Sequence, residues 1–177
     1  LRERIWKLLQ QEKVARFPGA EGRIPNFIGA EGCAKLLAET FYWKAAKVLK
    51  CNPDSPQLAI RQRALADGKI VYMAVPRLRG EKPFIELDPA KLKCSPYAAS
   101  SIKGAGQHGR PVNLEEVKTI DLVVCGSVAV NRRGARVGKG GGYSDLEFAL
   151  LTEEKKIRAN IAIVTSVHAL QIVDREI

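Results

Sequence analysis

The chain has 177 residues, enough for one domain with a real core, and its 46% hydrophobic and 27% charged residues are ordinary globular composition. No apolar run approaches the roughly 20 residues that span a bilayer, and the charged, amphipathic start carries no signal peptide; a cytoplasmic protein is expected. Lysine and arginine outnumber aspartate and glutamate by 29 to 19, and this net charge of +10 favours anionic partners such as nucleotides, polyanionic cofactors or nucleic acid, although a basic but well-dispersed surface accounts for it equally.

Leu1, Ile5, Leu8, Leu9 and Val14 recur at helical spacing, so residues 1–15 predict an amphipathic helix. A chain that opens on Leu1 reads as lacking its natural start. Residues 16–32, with four glycines and two prolines, read as an irregular connection. A second helix is predicted over 30–43, with Ala34, Leu37, Ala38 and Phe41 inward. A short strand follows at 45–51. Residues 52–69 start on capping and turn residues and end on Asp-Gly, as a helix of moderate length does. The β-branched run after Lys69 predicts a buried strand stopped by Pro76. A polar turn over 79–84 leads into the short strand FIEL, and 88–118, rich in Pro, Gly, Ser and Lys, predicts mostly loop. TIDLVVCGSVAV, 119–130, is the clearest buried strand. A glycine loop comes next, then a helix from about Tyr143 to Lys155, the buried strand ANIAIVTSV and a last short strand in ALQIV. Helices alternating with near-continuous apolar strands predict a three-layer α/β fold, a mainly parallel sheet with helices on both faces. No repeat or interdomain linker breaks residues 1–177, which read as a single domain.

The glycine loop, GARVGKGGGYSD at 134–145, carries the chemistry. It follows a buried strand, where ligands of an open α/β sheet bind. Glycines let backbone N–H groups approach phosphate oxygens without a Cβ in the way, and the following helix N-terminus adds partial positive charge. Arg136 and Lys139 supply full charges, and Asp145 can hold Mg²⁺ shared with the phosphates. A Walker A loop does not fit, since Gly134 lies only four before Gly138 and Lys139 is followed by Gly140. The dinucleotide fingerprint G-x-G-x-x-G fails at Tyr143. Taken alone, the loop is also compatible with a flexible hairpin or a tight strand–helix turn.

The longer stretch 121–151 resembles the signature of 5-formyltetrahydrofolate cyclo-ligase, also called methenyltetrahydrofolate synthetase. That signature is an apolar strand, Gly, a few residues and G-x-R-[LV]-G-x-G-x-G-Y-Y-D, matched here by Gly134, Arg136, Val137, Gly138, Gly140, Gly142, Tyr143 and Asp145. GKIVYMAVPRL and the opening Leu1-Arg2 resemble two further family segments, and GRIPNF and VTSVHALQIVDREI look closest to the branch of methenyltetrahydrofolate synthetase domain-containing proteins. The resemblance implies the fold type of ribose-phosphate isomerase and CoA transferases. It implies an ATP- and Mg²⁺-dependent ligase of folate and one-carbon metabolism, with a reduced folate or a related one-carbon or pterin-like substrate. Arg2, Arg136, Lys139 and the backbone of Gly138, Gly140, Gly141 and Gly142 would then cradle ATP. Tyr143 would lie at the folate–nucleotide boundary, with Lys139 and Tyr143 as the catalytic pair, and Asp145 would ligate Mg²⁺. As bare residues, Tyr143 fits a packed helix start, Asp145 a first-turn helix charge and Arg2 a solvated one.

The sequence departs from the pattern at four places. Cys125-Gly126 stands for Pro-Gly, Val130-Asn131 for Phe-Asp, Ser144 for the second Tyr, and DSPQ at 54–57 for the segment with the folate-recognising Glu. The family's first Lys would precede residue 1, and a further metal-binding Asp would follow Ile177. Cys33, Cys51, Cys94 and Cys125 lack metal or redox spacing and read as structural thiols of a reducing compartment. His108 reads as a solvated loop residue and His168 as packed or capping. The cations of NRRGARVGK suggest a second class, a non-catalytic nucleotide- or RNA-binding member of the same fold, but the aromatic platform used for single strands is missing. Oligomeric state is not written in the sequence.

Overall fold

The computed structural model describes residues 1–75, 78, 80–174 and 177. Its main sheet has six strands in the order β4-β3-β2-β1-β5-β8. The strands β1 (Val48–Cys51), β2 (Ile70–Ala74), β5 (Leu122–Cys125) and β8 (Ala162–Thr165) run parallel. The strands β3 (Phe84–Leu87) and β4 (Arg110–Val112) close one edge antiparallel. The chain leaves β1 toward β2 on one side and later returns as β5 on the other. The sheet therefore has its switch point between β1 and β5, and the crevice beyond their carboxyl ends is where such folds bind ligands.

Successive side chains alternate between the faces. Leu49, Cys51, Val71, Met73, Leu122 and Val124 enter one core with helices α2 (Ala30–Glu39), α4 (Leu58–Ala66), α5 (Pro96–Ala99) and α6 (Ile102–His108). Tyr72, Ala74 and Val123 face the other core, which helix α7 (Tyr143–Glu153) covers through Leu151. This is the expected α/β arrangement of a mainly parallel sheet between helices. A third cluster packs Ile5, Trp6 and Leu9 of helix α1 (Arg2–Gln11) on Ile24, Val128, Ala129 and Val173. It sits on a small sheet ordered β7-β6-β9, formed by Arg136–Val137, Ala129–Asn131 and Ile172–Val173.

Several local expectations are corrected. TIDLVVCGSVAV is not one strand: it breaks at Gly126-Ser127, so that β5 belongs to the main sheet and β6 to the small one. Apolar content cannot reveal such a break, because both halves are buried. The second helix ends at Glu39. Thr40 is extended (φ −73°, ψ 152°), and its hydroxyl accepts from Trp43 N to start helix α3 (Phe41–Ala45). Phe41 is therefore 79% exposed, and Trp43 turns inward instead, its indole donating to Asp67 Oδ2 at 2.9 Å. Residues 88–118 keep a majority of loop, as expected, but also carry two short helices and a strand. Ser95 caps α5 ahead of Pro96, Ser101 caps α6, and β4 follows. Gly104 permits the packing of α6 on α5, since a Cβ there would sit 1.7 Å from Ala98 O. Strand β8 lies at the sheet edge, half exposed rather than buried. The segment ALQIV divides into a 3-10 turn, Ala169–Gln171, and the strand β9. Pro76 and Arg77, the expected strand stop and the Pro-Arg of the family segment, lie outside the described residues.

At the antiparallel edge Glu86 is buried, and Tyr72 Oη donates to it at 2.7 Å and Arg110 Nε at 3.1 Å. Burial alone would raise its pKa, but the Arg110 and Tyr72 hydrogen bonds outweigh it and hold the carboxyl below its ordinary 4.5. A carboxylate with a depressed folded pKa stabilises fully above the unfolded value, and that stability is lost as pH falls through the folded one. Urea unfolding at neutral pH and below the ordinary carboxylate pKa should therefore show acid destabilisation in the native chain, and a smaller decline in Glu86→Gln.

Candidate functional site

The glycine loop is an extension of the small sheet. After β6 the chain turns through a hairpin that Asn131 organises, its side-chain oxygen accepting from Arg133 N and Ala135 N, each at 3.0 Å. This is the position where the family pattern has an acid; the oxygen here holds loop amides. Gly134 sits at the hairpin tip with φ +89°, a region L side chains rarely adopt. Strand β7 then runs into 138–142, where Gly140 and Gly142 also take positive φ, +110° and +69°. Gly142 is the N-cap of α7 and offers no side-chain cap, so the first amides of that helix are left to other acceptors.

The sequence-predicted residues converge here. Arg2 reaches from α1 and donates from Nε to Gly138 O at 2.6 Å, with its guanidinium alongside Gly140. Arg136 lies beneath the loop. Its Nη2 donates to Gly126 O at 2.7 Å, its Nη1 stands 3.3 Å from Asp145 Oδ1, and its Nε contacts Ser127 Oγ at 3.4 Å. Lys139 is exposed on the loop, Tyr143 is 40% exposed at the helix start, and the side chain of Asp145 is 82% exposed. Gly141 lies against the Tyr143 ring, 3.0 Å from where its Cβ would stand. The result is a glycine backbone ahead of a helix N-terminus with cations on both sides, a combination suited to phosphate oxygens.

Among the described residues no group of three or more His, Cys, Asp or Glu side chains could hold a metal. Asp145 alone suits a hard cation that arrives with a polyphosphate, since Mg²⁺ commonly takes one or two carboxylates and completes its shell from phosphates and water. The two histidines stand apart from this chemistry. His108 ends α6, exposed, and His168 caps the 3-10 turn, its Nδ1 accepting from Leu170 N at 3.2 Å.

Sequence reasoning missed the polar floor of the crevice. Asp54, ahead of α4, points at the switch point: its Oδ2 would lie 2.9 Å from a Cβ on Gly126. It is the carboxylate that meets the start of the second sheet. Arg61, buried on the inner side of α4, fixes this segment through the carbonyls of Asn52 at 2.6 Å, Asp54 at 3.0 Å and Ser100 at 2.8 Å. Beneath it Lys50 is 1% exposed and ion-paired with Glu147 of α7, which is 5% exposed. The available signal was a lysine inside the apolar run VLKC and an arginine among Ile60, Ala64 and Leu65. Burial pushes the Cys51 thiol up to about 11, against the smaller opposing pull of Arg61, and burial also raises Cys125. Both stay protonated near neutrality and offer no nucleophile. All four cysteines are unpaired.

A sequence profile of the 5-formyltetrahydrofolate cyclo-ligase family matches residues 1–176. The chain belongs to that family. Among curated relatives of this cyclo-ligase family member, the methenyltetrahydrofolate synthase domain-containing proteins of Bos taurus and Mus musculus are 37% and 38% identical over 176 residues. Each alignment takes in 98% of this chain but 46% and 47% of the relative. The human protein of the same name is 33% identical over 176 residues. The chain thus spans about half the length of the curated relatives it matches. The NMR structure of 5,10-methenyltetrahydrofolate synthetase from Aquifex aeolicus shares the fold, with a TM-score of 0.55 over 99% of this chain and 82% of that one, at 19% identity.

Gly126 is the tightest point of this family member's site. A Cβ there would stand 2.7 Å from Ile24 Cγ2 as well as 2.9 Å from Asp54 Oδ2. Gly126→Ala should lower unfolding free energy by about 1–3 kcal/mol, the usual cost of overpacking, as read by urea denaturation.

Proposed function

We propose that this chain carries out the ATP- and Mg²⁺-dependent closure of 5-formyltetrahydrofolate to 5,10-methenyltetrahydrofolate, releasing ADP and phosphate. The observation that carries the reading is the convergence of Arg2, Arg136 and the uncapped N-terminus of α7 on the 138–142 backbone, beside the β1/β5 crevice. In the proposed reaction the formyl oxygen on N5 takes the γ-phosphoryl group. N10 then attacks the activated carbon, and phosphate leaves. The protein's part is positioning and charge neutralisation.

The amides of Gly138, Gly140, Gly141 and Gly142 and of the first turn of α7 donate to the phosphate oxygens, flanked by Arg2 and Arg136. Lys139 neutralises the charge that develops on the transferring group, and Tyr143 lines the boundary between nucleotide and folate. Asp145 would hold Mg²⁺, which would supply charge compensation for the phosphates. Asp54 supplies the substrate-facing carboxylate, matched to the N–H donors of a reduced pterin. The unpaired cysteines suit the reducing cytoplasm. Among the described residues no helix is long and apolar enough to cross a membrane.

The test mixes the protein with ATP, Mg²⁺ and 5-formyltetrahydrofolate and follows the absorbance of the methenyl product. Product supports the reaction. Mg²⁺-dependent ATP binding without product would move the substrate to a related one-carbon or pterin-like compound. Neither, together with RNA binding that weakens steeply with salt, would favour the non-catalytic member of the fold. Lys139→Ala and Asp145→Ala should each weaken Mg·ATP binding by about ten- to a hundredfold, the worth of a hydrogen bond to a charged group. Calorimetric titration reads that loss. Both side chains are exposed, so thermal unfolding should stay close to that of the native chain.

A further inference from the structure

The buried ion pair between Lys50 and Glu147 is not explained by the nucleotide reading. Lys50 sits in the middle of the main sheet, between Tyr72 of β2 and Val123 of β5, and its side chain points to the α7 face. A buried pair of this kind is weak evidence for stability, because desolvation offsets much of the attraction and an apolar pair of similar size often does as well. Its contacts lead elsewhere. Lys50 Nζ donates to Asn52 Oδ1 at 2.5 Å, and Asn52 Nδ2 faces Asp54 Oδ2 at 3.5 Å. An ammonium has donors and no acceptor, so the Asn52 amide must turn its oxygen to Lys50. Its NH₂ is then left for Asp54, whose carboxylate stands over Gly126 at the switch point. Asn52 is itself fixed in place, its N–H donating to Val124 O at 3.0 Å and its carbonyl held by Arg61 at 2.6 Å.

We propose that Lys50 is a positioning residue for the one-carbon substrate: by setting the orientation of the Asn52 amide it aims the Asp54 carboxylate into the β1/β5 crevice, with Glu147 as its buried counter-ion. The inference rests on the cyclo-ligase reading and assigns the substrate half of the site to a relay running from α7 through β1. The phosphate loop is held separately, by Arg2 on the Gly138 carbonyl and by Arg136 on the Gly126 carbonyl. On this proposal the relay ends on Asp54 and its effect falls on the folate side.

Lys50→Met alone would leave Glu147 buried and uncompensated and would disturb folding. The informative variant is the double substitution Lys50→Met with Glu147→Leu, which removes both charges and keeps the volume. Asn52→Leu breaks the same relay with the ion pair intact. Calorimetric titration of Mg·ATP and of 5-formyltetrahydrofolate into the native chain and both variants is the experiment. We expect Mg·ATP affinity within about threefold of native and 5-formyltetrahydrofolate affinity reduced about tenfold or more in each, the loss of a charge-assisted contact. Native binding of both ligands by the double variant would reduce the pair to a structural role and overturn the proposal. An equal loss of both ligands would overturn it too, because the pair would then act through the position of α7. If the native chain binds neither ligand, the cyclo-ligase reading itself fails, and the relay falls with it.

Discussion

At Gly126 the chain leaves the main sheet and begins the second one, and no side chain fits there. Ile24 closes the space from the loop after α1, and Asp54 closes it from the loop after β1. The same residue's carbonyl takes the guanidinium of Arg136, which comes back from the glycine hairpin. One residue without a Cβ thus lets three segments distant in the chain meet at the carboxyl end of β5. The hairpin, the α7 N-terminus and the Asp54 segment have their mutual geometry from this meeting. The β1/β5 switch point supplies the crevice, and Gly126 decides what stands at its mouth.

The charges around that point are arranged in two tiers. The outer tier is solvated: Arg2, Lys139 and Asp145 are exposed around the glycine backbone of 138–142. The inner tier is buried: Lys50 with Glu147, and Arg61 on three carbonyls. Buried charge is costly unless paired or hydrogen-bonded, so the inner residues are confined to one arrangement. The outer ones can exchange partners with an arriving anion at little cost. Such a division would suit the proposed reaction, in which substrate-facing parts are held still and a polyphosphate arrives from solvent.

Much of the fold was legible. The amphipathic stripe of α1, the Asp-Gly end of α4 and the apolar β2 and β5 each carry their signal within a few neighbouring residues. The glycine motif was legible as well, because positive φ and close approach demand glycine at fixed places, and Gly134, Gly140 and Gly142 take that conformation. The break inside TIDLVVCGSVAV was not legible, since a strand that changes sheets stays buried on both sides of the change. Helices α5 and α6 were hidden by their brevity and their glycines, although Ser95-Pro96 and Ser101 carried the capping signals.

What the sequence by itself determined is local: where helices and strands run, where the glycine loop falls, and which cations flank it. Periodicity, capping and backbone freedom are properties of a few consecutive residues, and they act before any distant contact forms. What only the tertiary structure decided is which polar groups face one another. Lys50 reads as an ordinary strand lysine until α7 lays Glu147 over it, and Asp54 reads as a turn residue until β5 places Gly126 beneath it. Burial of a charge depends on partners brought together from distant parts of the chain, and no local pattern specifies them.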